Sequence, residues 1–185
     1  HFTNDPDFSG TTQGVTVTGG PSTADRVTTA AYQGSASQQV FVDDDPDSNV
    51  ANPATFTWQV RHLSGSGSVI NNVRFLNGGA TWVGYYLMTT TPALQASLMI
   101  DDGAALERAA FIDIIADGAW HLYEWELADA SMWEGFAGTG PDGVINTSLV
   151  SLDSIFVTAL DVDPGNPGQD QDATFFVDAV AYNTE

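Results

Sequence analysis

The stretch DGAWHLYEWEL, Asp117 to Leu127, sets two carboxylates two residues apart among three aromatics. In an extended chain, residues i and i+2 share a face. Trp120, Leu122, Glu124 and Glu126 then point one way, and His121, Tyr123, Trp125 and Leu127 point the other. The second set has the make-up of a core face. The first faces water or a groove. The period is two rather than 3.6, so the stretch predicts a half-buried strand.

The same period recurs on both sides of it. ATFTWQVRHL, Ala54 to Leu63, puts Phe56, Trp58, Val60 and His62 on one face and Thr57, Gln59 and Arg61 on the other. Further strands are expected at Gly14–Gly19, Arg26–Tyr32, Ser37–Asp43, Val69–Leu76, Trp82–Thr90, Leu94–Asp101, Arg108–Ile115, Leu152–Asp161 and Ala173–Tyr182. Clusters of Gly, Asn, Ser and Pro separate them. One short helix is expected near Ala128–Phe136. Many short strands with turn signals between them predict an all-β fold, an antiparallel two-sheet β-sandwich of jelly-roll type, as a single domain over residues 1–185.

Composition bounds the function. The chain has 185 residues and is 43% hydrophobic, enough to build a core rather than a disordered coil. It carries 24 acidic residues against four arginines, no lysine, and a net charge of −20. Such a surface repels phosphate backbones and anionic membranes, so nucleic acid is not an expected partner. No apolar run approaches the roughly 20 residues that span a bilayer, so no membrane insertion is expected. No signal peptide is visible at His1, which fits a cytosolic chain or a mature or excised secreted domain, with secreted or extracellular the location expected. Cysteine is absent, which removes disulfides, thiolate metal sites and cysteine nucleophiles.

Glu124 and Glu126 invite comparison with a glycosidase pair. Retaining enzymes hold two carboxyls about 5–5.5 Å apart and inverting ones about 6.5–9.5 Å. Neighbours two apart on a strand fall near that range. Sandwich-fold glycosidases, however, carry a further Asp within a Glu-x-Asp-x-Glu strand, whereas Leu127 and Ala128 follow here. No Gly-x-Ser-x-Gly elbow and no His-Glu-x-x-His is present. An N-terminal histidine such as His1 is also what a copper brace requires, with a second histidine as its partner. The expectation is no enzyme activity.

Four stretches carry a family resemblance. DPDFSGTTQGVTVTGG at the start, DGAWHLYEWEL, LDSIFVTAL before an acidic loop, and the closing ATFFVDAVAY appear in that order. Together they resemble jelly-roll carbohydrate-binding modules and related β-sandwich domains of secreted bacterial proteins. The resemblance implies a structural Ca²⁺ tying the N-terminal segment to the last strand, with Asp7 and Asp178 nearest it. The chain departs from the pattern at Ser9, Val15 and Ala179, where Glu, Trp and a second Asp are frequent.

Candidate ligand contacts follow from the residues themselves. In TWVGYYLMT, Trp82, Tyr86 and Met88 share a face, with Gly84 leaving a gap; Val83, Tyr85 and Leu87 share the other. Sugars stack their C–H faces on exposed rings, with polar groups at the rim. Arg61 and Arg74 have donors for sugar hydroxyls or for an Asp, and Trp133 either plugs one end of the sandwich or is an exposed contact. Asp oxygens are hard ligands suited to Ca²⁺. DDDPDSN from Asp43, the pair Asp101 and Asp102, and DVDPGNPGQDQD from Asp161 are acidic clusters. The last has the best ligand count, with Asp161, Asp163, Asp170 and Asp172 around a Pro-Gly turn. The leading expectation is a secreted, non-catalytic module that binds a polysaccharide or glycan and is stabilised by Ca²⁺. The alternative is a structural subunit that forms a homopolymer, an extracellular filament, tube or sheath, through strand exchange from the His1–Gly14 segment and Ca²⁺ bridging.

Overall fold

A computed structural model of the chain describes residues 8–9, 23–42, 56–63, 73–78, 81–160 and 172–184. Its strands are β1 (Phe8–Ser9), β2 (Thr23–Val27), β3 (Ser37–Val42), β4 (Phe56–Leu63), β5 (Val73–Leu76), β6 (Thr81–Thr89) and β7 (Leu94–Asp102). They continue as β8 (Ala105–Ala109), β9 (Ile112–Asp113), β10 (His121–Glu126), β11 (Trp133–Gly138), β12 (Leu149–Leu160) and β13 (Ala173–Thr184). One sheet runs β1-β4-β12-β7-β8-β11, with β5 on β12 and β9 on β7; the other runs β10-β6-β13-β3-β2. All the strand pairs are antiparallel. The protein is an antiparallel two-sheet β-sandwich, as the alternation predicted.

The inner faces supply the core. Val40, Val42, Val83, Tyr85, Leu87, Tyr123, Trp125, Phe175 and Val177 come from the five-stranded sheet. Val60, Leu94, Ala96, Leu98, Ile100, Ile155, Val157 and Ala159 come from the other. Each is the alternate-residue set of its strand, which is why a one-residue slip in register would expose it. Buried aromatics carry polar tips that need partners. The Tyr85 hydroxyl donates to Ser97 O across the sandwich at 2.8 Å. The Trp125 indole N–H donates to Ala110 O at 2.8 Å, and Ile115 N–H donates to the Tyr123 hydroxyl at 2.9 Å.

Those last two bonds account for one departure from expectation. Arg108–Ile115 is not one strand: β8 stops at Ala109 and β9 starts at Ile112. Between them Ala110 turns its carbonyl to Trp125 and donates its N–H to Met132 O at 2.7 Å. The helix expected at Ala128–Phe136 is also absent. A single 3-10 turn spans Ala130–Met132, and β11 follows, paired with β8. Asp129 caps the turn, accepting from Ser131 N at 2.9 Å and Ser131 Oγ at 2.7 Å. The Ser131 hydroxyl and N–H hold its carboxyl below the usual range. Trp133 is buried, and its indole N–H donates to Glu126 O at 2.8 Å. Burying that ring and gaining a strand ladder outweigh the weak local helical preference. In β2 the strand ends at Val27, so Tyr32 lies in a turn over residues 28–36 rather than at a strand end.

Candidate functional site

The solvent-facing side of the five-stranded sheet can be laid out from its registers. Leu122 of β10, Tyr86 of β6 and Asp178 of β13 lie side by side. One step along is Glu124, Gly84 and Ala181; the next is Glu126, Trp82 and Asn183. On the other side of Tyr86, Met88 lies beside Phe176, and Phe176 beside Gln39. Trp82 and Tyr86 thus share a face four residues apart, a span of about 13 Å at the usual strand rise. Gly84 between them carries no side chain and is itself buried, a gap in the row of side chains rather than exposed backbone.

The gap is also a close approach. A Cβ on Gly84 would lie 2.4 Å from Tyr123 O and 2.8 Å from Glu124 Cβ, so glycine alone allows β6 and β10 to come this near. Glu124 is exposed and Glu126 half-buried beside the notch, so this strand has the solvated face its alternation predicted. The reverse face, Tyr123 and Trp125, is buried. His121 lies on the core side by parity but is half-buried at the strand's start. Its Nε2 donates to Asp117 Oδ1 at 2.9 Å, and that bond, with a backbone N–H from Ala119, pulls the Asp117 carboxyl below its ordinary range.

A residue that the sequence reading did not assign to the site completes this face. The Tyr32 ring stacks on Tyr86 at a centroid distance of 3.5 Å and an interplanar angle of 14°. Trp120 meets Tyr32 edge-on at 6.3 Å. Tyr32 is 47% exposed, so it presents the outer ring surface while Tyr86 backs it. A hydrogen bond with the Tyr32 hydroxyl pushes the Tyr86 phenol above its ordinary range, and desolvation, the Tyr32 phenol and the Glu124 charge add to this. The signal in the sequence was a turn: Gly34 and Ser35 follow Tyr32 closely, and connections run over the surface.

The arginines go elsewhere. Arg61 is 8% exposed on β4 in the opposite sheet, where Nε and Nη2 donate to Asp153 Oδ2 at 2.9 and 2.6 Å and Nη2 to Oδ1 at 2.6 Å. It is therefore the Asp partner and not a displayed ligand contact. Arg74 is exposed on β5, again in the opposite sheet. Trp133 is buried and plugs the sandwich. Arg108 of β8 pairs with Glu134 and lies over Phe111 at 4.7 Å and Phe136 at 5.1 Å. Among the described residues of the five-stranded sheet's outer face, the charged side chains are Glu124, Glu126, Asp25 and the buried Asp178, and none is basic.

The acidic residues proposed for Ca²⁺ divide. Asp7, Asp161, Asp163 and Asp170 lie outside the described residues, as does the cluster from Asp43. Asp172 is exposed just ahead of β13. Asp178 has its carboxylate engaged by backbone donors. Its Oδ2 accepts from Tyr32 N and Gln33 N at 2.8 and 2.9 Å, and its Oδ1 from Ala179 N at 2.7 Å. Asp102 is used similarly: it accepts from Asn146 N at 2.7 Å, Thr147 N at 2.8 Å and the Thr147 hydroxyl. Glu107, fully buried, accepts from Asp142 N and Gly143 N at 3.0 and 2.9 Å. These carboxylates satisfy backbone donors of turns. Among the described residues, no three His, Asp or Glu side chains gather as a metal site.

No protein-family model matches the chain, and no curated protein matches it. Among solved structures it is similar to TmCBM61 in complex with β-1,4-galactotriose, with a TM-score of 0.44 and 13% identity over 88% of this chain and 82% of that one. It is also similar to a structure from work on the promiscuous specificity of carbohydrate-binding modules of the β-sandwich superfamily, with a TM-score of 0.46 and 13% identity over 98% of this chain. This chain spans 62% of that second chain's length. The likeness is one of β-sandwich fold.

Proposed function

We propose that the chain is a non-catalytic glycan-binding module whose ligand lies along β6, over the notch between Trp82 and the stacked Tyr32–Tyr86 pair. The observation that carries this reading is the Tyr32–Tyr86 stack on the outer face of the five-stranded sheet, with the half-buried Trp82 four residues along β6 from Tyr86 and Glu124 and Glu126 beside them. The two ring positions lie about 13 Å apart along the strand. A pyranose stacks on rings through its C–H face and donates its hydroxyl protons to such acceptors. Glu124 is exposed, whereas a general acid needs a desolvated carboxyl, so the pair serves as hydrogen-bond acceptors. An outer face with carboxylates and no base disfavours uronic acids and favours neutral or amine-bearing sugars.

Secretion and a Ca²⁺ held by the acidic loop at Asp161–Asp172 belong to the same proposal, the latter on its ligand count. For the homopolymer, no observation among the described residues favours it: β1 pairs with β4 of its own chain, Phe8 with His62 and Ser9 with Arg61.

Calorimetric titration with soluble β-1,4-galactan, xylan and mixed-linkage β-glucan, beside polygalacturonate, tests the reading. Ring stacking is worth about 1–3 kcal/mol on nucleic acid bases, and a sugar should gain the lower end. Trp82→Ala is expected to weaken the best neutral glycan about tenfold with an unchanged melting temperature. Tighter binding of polygalacturonate than of every neutral probe, or indifference to Trp82→Ala, refutes it.

A further inference from the structure

By parity along β13, Asp178 shares the outer face with Phe176 and should meet solvent, yet it is 1% exposed. The turn at residues 28–36 is what covers it. Tyr32 and Gln33 lay their backbone N–H groups on one carboxylate oxygen, at 2.8 and 2.9 Å. The other oxygen accepts from Ala179 N at 2.7 Å. Just beyond, β13 carries one extra residue: Asp178 pairs with Tyr86 and Ala181 with Gly84, three steps against two. Ala179 takes a left-handed backbone there, φ 48°. A non-glycine residue holds that conformation only where its surroundings over-determine it. A bulge re-aims the side chains beside it, and here the carboxylate beside it is the one that meets the turn.

We infer that Asp178 is a positioning residue: its carboxylate clamps the 28–36 turn so that the Tyr32 ring lies flat on Tyr86 before any ligand arrives. The inference rests on the glycan-binding reading above for its purpose, though not for its geometry. Two N–H groups converging on one point need an acceptor with free lone pairs, and a carboxylate serves two donors more strongly than a neutral amide does. The segment from Thr28 to Ala31 has small side chains. A second tie among the described residues runs from Ser37 Oγ to Ala30 O at 2.8 Å. A ring on an unclamped turn would have to be ordered by the ligand, and the clamp removes that cost.

The positioning can be read without a ligand. Tyr32 holds the Tyr86 phenol above its ordinary range, so Tyr86 titration by carbon-13 NMR reports the stack. Asp178→Asn keeps the shape but turns one acceptor into a donor. Gly34→Ala reaches the same turn from its exposed end, where φ of 78° suits glycine and strains alanine. It keeps the test open if Asp178→Asn fails to fold. In folded protein well below melting, both variants should bring Tyr86 back toward its ordinary value. They should also weaken the best of galactan, xylan and β-glucan about threefold to tenfold. A purely structural role would lower the melting temperature and leave the Tyr86 titration alone. Wild-type titration in the folded variants overturns the inference, as does undiminished affinity in variants where Tyr32→Ala is weakened. A shifted Tyr86 in a protein that binds none of the three probes upholds the clamp and refutes the glycan reading.

Discussion

Gly84→Ala tests the notch from the side of packing. Opposed Cβ atoms in an antiparallel pair normally lie about 4.5–5.5 Å apart. A Cβ on Gly84 would sit 2.8 Å from that of Glu124 and 2.4 Å from Tyr123 O. The shortfall is about 2 Å, and the atom struck first is backbone, which cannot swing aside. β10 must therefore shift along a ladder of six paired residues, with the buried Tyr123 and Trp125 on its other face. Overpacking of this kind costs about 1–3 kcal/mol. Replacing glycine returns about 0.4–1 kcal/mol by restricting the unfolded chain. Taken at mid-range the two leave a net destabilisation of about 1.3 kcal/mol, or a melting point lower by about 3–5 °C for a chain of this size. Urea titration and a thermal melt followed by near-ultraviolet dichroism both read it. A variant that melts at or above the wild-type temperature refutes the close approach of β6 and β10.

Three further outcomes follow from other parts of the molecule. Arg61→Ala leaves Asp153 buried without its guanidinium, so stability should fall by about 3–5 kcal/mol in urea titration, with no loss of glycan affinity in protein that remains folded; lost affinity at full stability would return Arg61 to the ligand site. Asp117, whose carboxyl is lowered by the His121 bond, contributes stability that is complete above the ordinary carboxylate range and is lost as pH falls through its depressed value. Melting curves between neutral pH and acid should therefore be less steep in Asp117→Asn, and identical slopes count against that pair. Finally, millimolar chelator should lower the melting temperature, and Asp163→Asn with Asp170→Asn should remove most of that effect; indifference to chelator refutes structural Ca²⁺.

The alternation of apolar and polar residues by itself settled the fold class. Burial on a strand is a local matter: each side chain goes to one face or the other, and Tyr123 and Trp125 could only be the inward set once the period was two. For the same reason Trp82 and Tyr86 could be placed on one face and Val83, Tyr85 and Leu87 on the opposite one. Segments with competing demands were decided by tertiary contacts. Residues 128–136 look helical alone, but β8 offers a ladder and the sandwich offers a slot for Trp133. Residues 108–115 are expected as one strand, yet Ala110 is drawn out of line by Trp125 and Met132.

The site depended on register even more. Tyr32 and Asp178 stand 146 residues apart, and no periodicity links them; only the order β6-β13-β3-β2 brings the turn before β3 over the end of β6. Asp178 read from the sequence is a hard oxygen ligand. In the fold it is an acceptor for three backbone donors, two of them from the 28–36 turn. Sequence by itself determined which residues face inward, since that follows from the two-residue period of an extended chain. Which outward residues meet each other was left to strand order, a bulge at Ala179 and a glycine at position 84, all of them set by contacts between distant parts of the chain.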